Sequence, residues 1–204
     1  MRQRWVSRFK IKNMAIELFN EHYSETIKRI SNIDLVLTDP PYPDYLVDRY
    51  GYFDGIIDFL KEIDCRQLVF WSAKAEFPLP YDSIHIWDKK CGVGSMYERI
   101  FERNGGNAYK VYNYYLINSK VAASYAKDTF EGHPSQKPIN LIRRLILEYT
   151  NEGDTVFDPF SGSGTVAVAC AKEKRNFIGC ELDKLYFDNS IKRLFNQASK
   201  PELF

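Results

Sequence analysis

The sequence predicts an α/β fold built on a mostly parallel sheet, and three observations lead there. Short apolar runs alternate with segments of helical period through the amino-terminal half. Two distinctive segments, Thr38-Asp39-Pro40-Pro41-Tyr42 and Asp158-Pro159-Phe160-Ser161-Gly162-Ser163-Gly164-Thr165, each directly follow such a run. The second also opens a helix of small residues, Val166 to Ala171. In an open parallel sheet, ligands bind outside the carboxyl ends of the strands. Both loops therefore fall on one edge, where they could set a substrate beside a cofactor.

Ile16 to Phe19 reads as a short strand, followed from about Ser24 by a helical segment with Ile27 and Ile30 on one face. Ile33 to Leu37 is an almost unbroken aliphatic run, the pattern of a strand buried on both sides. A helix over Phe53 to Ile63 leads into a third buried strand, Gln67 to Trp71, and this strand–helix rhythm implies parallel pairing. Ser83 to Asp88 and Tyr112 to Asn118 are two further strands. Gly105 to Gly132 is polar, tyrosine-rich and poorly periodic, which marks it as a variable insertion. Pro138 suits a first helical position, and Leu141, Ile142, Leu145 and Ile146 form an apolar stripe running on to Tyr149. After the turn Asn151-Glu152-Gly153-Asp154 come a strand over 155–157, a helix from Gly164 to Lys174, a strand over 177–180 and a helix from about Lys184 to Gln197. No internal repeat or low-complexity tract interrupts the series.

With 204 residues, 45% of them hydrophobic, the chain can bury one good core and has little room for a second domain. Its 28 basic residues face 27 acidic ones, so net charge does not point to a polyanionic partner. Local clusters do exist: Arg2, Arg4, Arg8, Lys10 and Lys12 near the start, and Arg99, Arg103, Lys110 and Lys120 later. These are either phosphate contacts or an ordinary solvated surface. Cys65, Cys91, Cys170 and Cys180 are widely spaced with no Cys-x-x-Cys pair, so neither a metal site nor a disulfide framework is expected. The amino terminus lacks the apolar core of a signal peptide and no apolar run reaches membrane-spanning length, so the expected location is cytoplasmic.

In the glycine-rich loop, Gly162 and Gly164 let the backbone approach a ligand, and the helix start offers unpaired amides to an anion. A phosphate loop would need Gly-Lys-Ser/Thr where this chain has Gly-Thr-Val, which makes nucleotide triphosphate hydrolysis a poor fit. A ligand bearing both carboxylate and ammonium suits the loop, with Asp158 accepting from the ammonium. Glu181, 17 residues after Gly164, stands where an acid accepts from ribose hydroxyls in nucleotide-binding α/β folds. A methionine portion at one loop and a ribose at the next describe S-adenosylmethionine. The competing reading is a tight turn at the glycines and a surface acid beside Asp183.

In the other loop, two prolines fix their own dihedrals and bias the residue before them toward extended geometry, so Asp39 and Tyr42 sit on a stiff loop. The Asp39 carboxylate and the Pro40 carbonyl are two acceptors beside an aromatic ring. They complement an exocyclic amino group on a planar base: two N–H donors and a π face on which Tyr42 would stack once the base is extruded. The competing reading is a proline-rich turn with a capping aspartate.

Taken together, the segments resemble the amino methyltransferases that act on exocyclic amines of DNA bases, in their circularly permuted β-class arrangement. Thr38 to Tyr42 matches the catalytic motif, and Trp87-Asp88-Lys89 resembles the strand region that follows it. His133-Pro134-Ser135-Gln136-Lys137-Pro138 resembles the segment ahead of the cofactor half, Asp158 to Thr165 the cofactor loop, and Ile178-Gly179-Cys180-Glu181 the acidic strand end. The catalytic loop precedes the cofactor loop, the reverse of many RNA methyltransferases with a similar proline-containing loop.

The resemblance implies a Rossmann-like S-adenosylmethionine-dependent methyltransferase fold, with a mostly parallel seven-stranded sheet and helices on both faces. It implies one methyltransferase domain over 1–204: a catalytic half at about 14–90, a target-recognition insertion at about 91–132 and a cofactor half at about 133–197. By position, Asp39 and Pro40 would bind the target amine and Tyr42 would stack on the base. Asp158, Phe160, Gly162, Gly164 and Thr165 would line the methionine end of the cofactor with Ser135 and Lys137 close by, and Glu181 would hold the ribose. Where the family often has Gly-Asp, this chain has Asn20-Glu21, with Glu21 as the substitute near the cofactor adenine. No metal and no strong general base are expected.

Aspartate in the catalytic loop favours the 6-amino group of adenine, in double-stranded DNA with the target base flipped out. The alternatives are the 4-amino group of cytosine, or a non-catalytic DNA-binding or regulatory subunit. The short insertion implies a brief target sequence or help from a homodimer partner or second subunit.

Overall fold

The computed structural model describes residues 5–11, 13–41, 55–90, 96–116 and 136–198. Their strands form one sheet of nine, in the order β1-β2-β9-β8-β3-β4-β6-β5-β7. In chain order these are β1 (Trp5–Ile11), β2 (Met14–Asn20), β3 (Leu35–Thr38), β4 (Arg66–Trp71), β5 (Ser83–Asp88), β6 (Tyr97–Arg103), β7 (Val111–Asn113), β8 (Thr155–Asp158) and β9 (Asn176–Cys180). The helices are α1 (Tyr23–Thr26), α2 (Ile56–Glu62), α3 (Ile139–Tyr149), α4 (Thr165–Lys172) and α5 (Lys184–Ala198).

The α/β class with helices on both faces stands, while the strand count differs from the expected seven. Among the described strands only β1 and β6 run against the rest, each paired antiparallel to its neighbours. The seven expected from sequence are the seven that share one direction. A strand buried on both faces in a parallel sheet must be apolar, and that run is what makes β3 and β4 visible.

The missed strands had other signatures. β1 alternates strictly, with Val6, Arg8 and Lys10 outward and Ser7, Phe9 and Ile11 half-buried, as befits an edge strand with one covered face. It joins β2 through a hairpin in register Ile11↔Met14, with Asn13 in the left-handed region at φ 71°, which asparagine tolerates.

β6 reads Tyr-Glu-Arg-Ile-Phe-Glu-Arg, too charged to look like an interior strand, because its charges are turned inward and partnered. The Glu102 carboxylate accepts from Ser83 Oγ at 2.9 Å and from the His85 ring at 3.0 Å. Arg103 donates to the Pro80 carbonyl at 2.7 Å and to Gln67 Oε1 at 2.8 Å. Arg99 donates to the Ser72 carbonyl, and Lys110 pairs with Glu148 at 3.1 Å. Arg99 and Arg103 are therefore engaged by the interior and Lys110 by its rim, while Arg2, Arg4, Lys12 and Lys120 lie outside the described residues.

The sheet separates two apolar layers by alternation along each strand. Leu35, Leu37, Leu68 and Phe70 face α3, α4 and α5, whereas Val36, Val69 and Trp71 face α1 and α2. α3 presents the expected stripe of Leu141, Ile142, Leu145 and Ile146 to the sheet, and it begins at Ile139 with Pro138 as its N-cap, one residue later than expected. α4 lies between α3 and α5 and is buried all round from Thr165 to Ala171, which explains its small, uniformly apolar composition. Of the expected target-recognition insertion at about 91–132, residues 96–116 are described and carry β6, which lies inside the sheet between β4 and β5, and β7. No helix among the described residues is long and apolar enough to cross a membrane.

Candidate active site

β8 and β3 are adjacent and parallel in the middle of the sheet, in register Val36↔Phe157. Here the strand series reverses direction of growth: β8, β9 and β2 extend one way, and β3 and β4 the other. Such a switch point opens a crevice at the carboxyl edge. The glycine-rich loop leaves β8 and the Asp39 loop leaves β3, so the two segments singled out in the sequence lie side by side. The Thr38 hydroxyl donates to Asp158 Oδ1 at 3.0 Å across 120 residues of chain and ties them together.

Asp158 is 3% exposed. Its Oδ1 also accepts from the Phe160 amide at 3.1 Å. Burial pushes this carboxyl up to about 7, against the two hydrogen bonds and with a smaller push from the Asp39 and Glu181 charges. A carboxylate is thus held in the crevice close to its midpoint at neutral pH, where a cation arriving beside it would draw it fully into the ionised form.

The loop then folds on itself. The Ser161 amide donates to the Cys180 carbonyl at 2.9 Å and the Gly164 amide to the Ser161 carbonyl at 2.8 Å. Gly162 and Gly164 take positive φ of 48° and 73°, the conformation that favours glycine. The Gly162 amide donates to Glu181 Oε2 at 2.9 Å, and Glu181 Oε1 accepts from the Asp183 amide at 2.8 Å. Glu181 is therefore not a detached surface acid: it sits at the carboxyl end of β9 against the glycine loop, and burial holds its carboxyl above the usual range.

Other expected residues have partners of their own. A Cβ on Gly164 would lie 2.8 Å from Ser190 Cβ, so the glycine there also answers to the close approach of α5. The Thr165 hydroxyl is buried and accepts from Arg193 Nη1 at 2.7 Å, and the same nitrogen reaches the Ser163 carbonyl at 3.1 Å. The Thr165 side chain thus belongs to a polar contact between α4 and α5, where sequence reasoning had set it toward a ligand. Arg193, in the middle of α5 and 1% exposed, gave no sequence signal, since an arginine on an amphipathic helix normally reads as solvated. Phe160 is half-buried with its ring 5.4 Å from that of Tyr23. Glu21 follows β2 at the same sheet edge, and its carboxylate accepts from Thr26 Oγ1 at 2.7 Å and pairs with Arg29.

On the β3 side, Asp39 is half-buried and Pro40 buried. Asp39 pairs with the Lys137 ammonium, which also lies 3.2 Å from Glu98 Oε2. Lys137 thereby stands on the Asp39 side of the crevice, although position alone had grouped it with the cofactor residues. Burial by itself would lower its basicity, but Asp39 and Glu98 more than offset that and keep it a cation. Glu98, at the start of the unexpected strand β6, was missed by sequence reasoning. Tyr42 and Ser135 lie outside the described residues, so the site described is Asp39, Pro40, Lys137 and Glu98 on one side and Asp158, Ser161, Gly162 and Glu181 on the other.

Comparison with known proteins places the chain in a family. The N6/N4 methyltransferase family model, described as DNA methylase, matches residues 64–192. The DNA adenine methyltransferase YhdJ of Escherichia coli (strain K12) is 31% identical over 165 residues, which cover 65% of this chain and 55% of that protein. The chain spans about half or less of the length of the first curated relatives it matches. Among solved structures, the M1.HpyAVI–SAM complex aligns with a TM-score of 0.61 at 22% identity, covering 87% of this chain and 99% of that one. The PvuII DNA methyltransferase (cytosine-N4-specific) aligns with a TM-score of 0.64 at 15% identity, covering 87% and 86%. At such identities the two structures speak for the fold, and the sequence family adds the rest: this chain is a member of the N6/N4 DNA methylase family.

Proposed function

We propose that the chain transfers a methyl group from S-adenosylmethionine to the exocyclic 6-amino group of adenine in double-stranded DNA. The observation that carries this reading is the junction of two carboxylate-bearing loops at the β8/β3 crevice, joined by the Thr38–Asp158 hydrogen bond. One carboxylate suits a donor's ammonium and the other a nucleophile's amine.

The residues present fit the cofactor. Asp158 is a buried carboxylate whose two observed donors both reach Oδ1. The Ser161 hydroxyl is buried with no hydrogen-bond partner among the described residues, and a ligand group in the loop would satisfy it. Asp158 would hold the ammonium, the Ser161 to Gly164 loop the adjoining carboxylate, and Glu181 the ribose hydroxyls. When bound, S-adenosylmethionine supplies an electrophilic methyl group on a sulfonium.

Asp39 and the Pro40 carbonyl accept the two N–H bonds of the amine. Held this way, the nitrogen lone pair is turned out of conjugation with the ring and becomes nucleophilic, so positioning and acceptor strength carry the rate. Tyr42 stacks on the base, which must leave the duplex to enter the crevice. Adenine is favoured by aspartate at position 39 and by the named activity of the adenine-specific relative. A second copy of the chain or another subunit would widen a recognition surface that is short for a sequence-specific enzyme. The cytoplasm is the fitting compartment, with Cys65, Cys170 and Cys180 all present as free thiols.

The test is incubation with labelled S-adenosylmethionine and unmethylated DNA followed by nucleoside analysis. Label in 6-methyladenine is expected. Label in 4-methylcytosine overturns the choice of base, label confined to RNA or protein overturns the DNA substrate, and no cofactor binding by calorimetry overturns the enzyme.

A further inference from the structure

Behind Asp39 the structure holds a row of alternating charges drawn from four separate segments. Lys89, just after β5, places its ammonium 2.7 Å from Glu98 Oε1. Glu98, at the start of β6, presents Oε2 to Lys137 at 3.2 Å, a contact of charges rather than a directed hydrogen bond. Lys137, just ahead of α3, reaches Asp39. The four side chains are 9%, 14%, 10% and 26% exposed, so the row runs from the interior to the crevice. Aromatic rings floor it: the Lys137 ammonium lies 5.1 Å from the Phe70 ring centre, and that of Lys89 5.4 Å from the Trp87 ring centre. Cations over aromatic faces are held electrostatically in place.

We propose that Glu98, backed by Lys89, is a positioning residue for methyl transfer: it draws part of the Lys137 charge away from Asp39, so that Lys137 orders the Asp39 carboxylate without neutralising it. The inference rests on the reading of Asp39 as acceptor for the target amine.

The physical requirement is a conflict. A carboxylate that must aim at an amine needs to be fixed, and a neighbouring ammonium fixes it well. In a partly buried site, however, a lone ammonium would engage that carboxylate as a closed ion pair and weaken it as an acceptor. A second carboxylate on the far side of the same ammonium resolves this, because its negative field opposes that of Asp39 at the shared cation. Lys89 then balances Glu98, so the row of two cations and two anions carries no net charge. The balance keeps Glu98 ionised: burial alone would raise its carboxyl, and Lys137 and Lys89 together hold it below the usual range. None of the four can be removed without leaving a buried charge uncompensated.

Glu98→Gln keeps the side-chain volume and removes the charge, Glu98→Asp keeps the charge, and Lys137→Met removes the ammonium. All are measured in the full chain for single-turnover methyl transfer to adenine-containing duplex DNA, cofactor affinity by calorimetry, and thermal unfolding. Glu98→Gln should slow transfer by about 10- to 100-fold, the scale of a misplaced catalytic group, while cofactor affinity stays within about twofold. Glu98→Asp should restore most of the rate. In the Lys137→Met background, Glu98→Gln should change the rate less than about twofold, because the charge it shares is gone.

A Glu98→Gln enzyme that transfers at the wild-type rate overturns the proposal. So do Glu98→Gln and Lys137→Met effects that multiply independently, or a slow Glu98→Gln that loses cofactor affinity and thermal stability in the same proportion, which would make Glu98 a support of the fold. A wild-type chain that binds cofactor but methylates no DNA instead overturns the adenine methyltransferase reading, and the inference falls with it.

Discussion

Asp158→Asn separates what the fold wants at the crevice from what the proposed reaction wants. Both hydrogen bonds to Asp158, from Thr38 and from the Phe160 amide, end on Oδ1, and the amide oxygen of asparagine can accept both. The substitution thus keeps both contacts and replaces the titratable Oδ2 by an uncharged amide nitrogen. In the folded chain that carboxyl titrates near 7 against an ordinary 3.8. A group whose folded pKa is raised contributes stability fully below its unfolded pKa and loses it as pH rises through the folded value. The loss therefore falls between about pH 4 and pH 7 and amounts to an upper bound of ~4 kcal/mol, of which ~2.5 kcal/mol lies above pH 5. Urea denaturation of both chains without cofactor at pH 5, 6, 7 and 8 measures it. The stability of the asparagine chain relative to wild type should climb by up to ~2.5 kcal/mol across that range and level off above pH 7. Wild-type cofactor affinity should rise over the same interval as the carboxylate ionises, and the asparagine chain should bind about 10- to 100-fold more weakly with no such rise, the scale of a lost charged hydrogen bond. A stability difference that does not change with pH would show that Asp158 is not held neutral by burial. Unchanged cofactor affinity would remove it from the proposed ammonium site.

Asp39→Ala should retain cofactor binding within about threefold by calorimetry while kcat on DNA falls at least ~100-fold, because the lost acceptor acts on the amine side of the crevice. Thr165→Val should cost about 1 kcal/mol in urea denaturation through its bond to Arg193 and leave cofactor affinity within about twofold. A large loss of affinity instead would mean that the hydroxyl faces the ligand. Gly164→Ala should destabilise by about 2 kcal/mol or more, since its Cβ meets Ser190 Cβ and its φ is 73°.

The legibility of this chain follows burial. β3 and β4 announced themselves because every face of a central parallel strand must be apolar, and the stripe of α3 did so because one side of a helix must cover the sheet. The two loops were legible as a pair because proline and glycine act on the local backbone, whatever surrounds them. β6 was not legible, since Glu98, Arg99, Glu102 and Arg103 look like surface residues until their partners from distant segments are known. Asp158 could be picked out as a carboxylate from its motif, but nothing local shows that it is buried with a shifted titration.

The sequence by itself determined the class of fold, the places of seven strands, the two loops and the order in which they occur, all of which rest on residue type and short-range geometry. Tertiary structure alone decided that β1 and β6 complete the sheet, that Thr38 joins the loops, that Thr165 and Gly164 answer to α5, and that Lys137 stands with Asp39 and Glu98. Those outcomes depend on which charged or small side chains meet across the fold. A charge is tolerated inside only where its partner arrives from elsewhere in the chain.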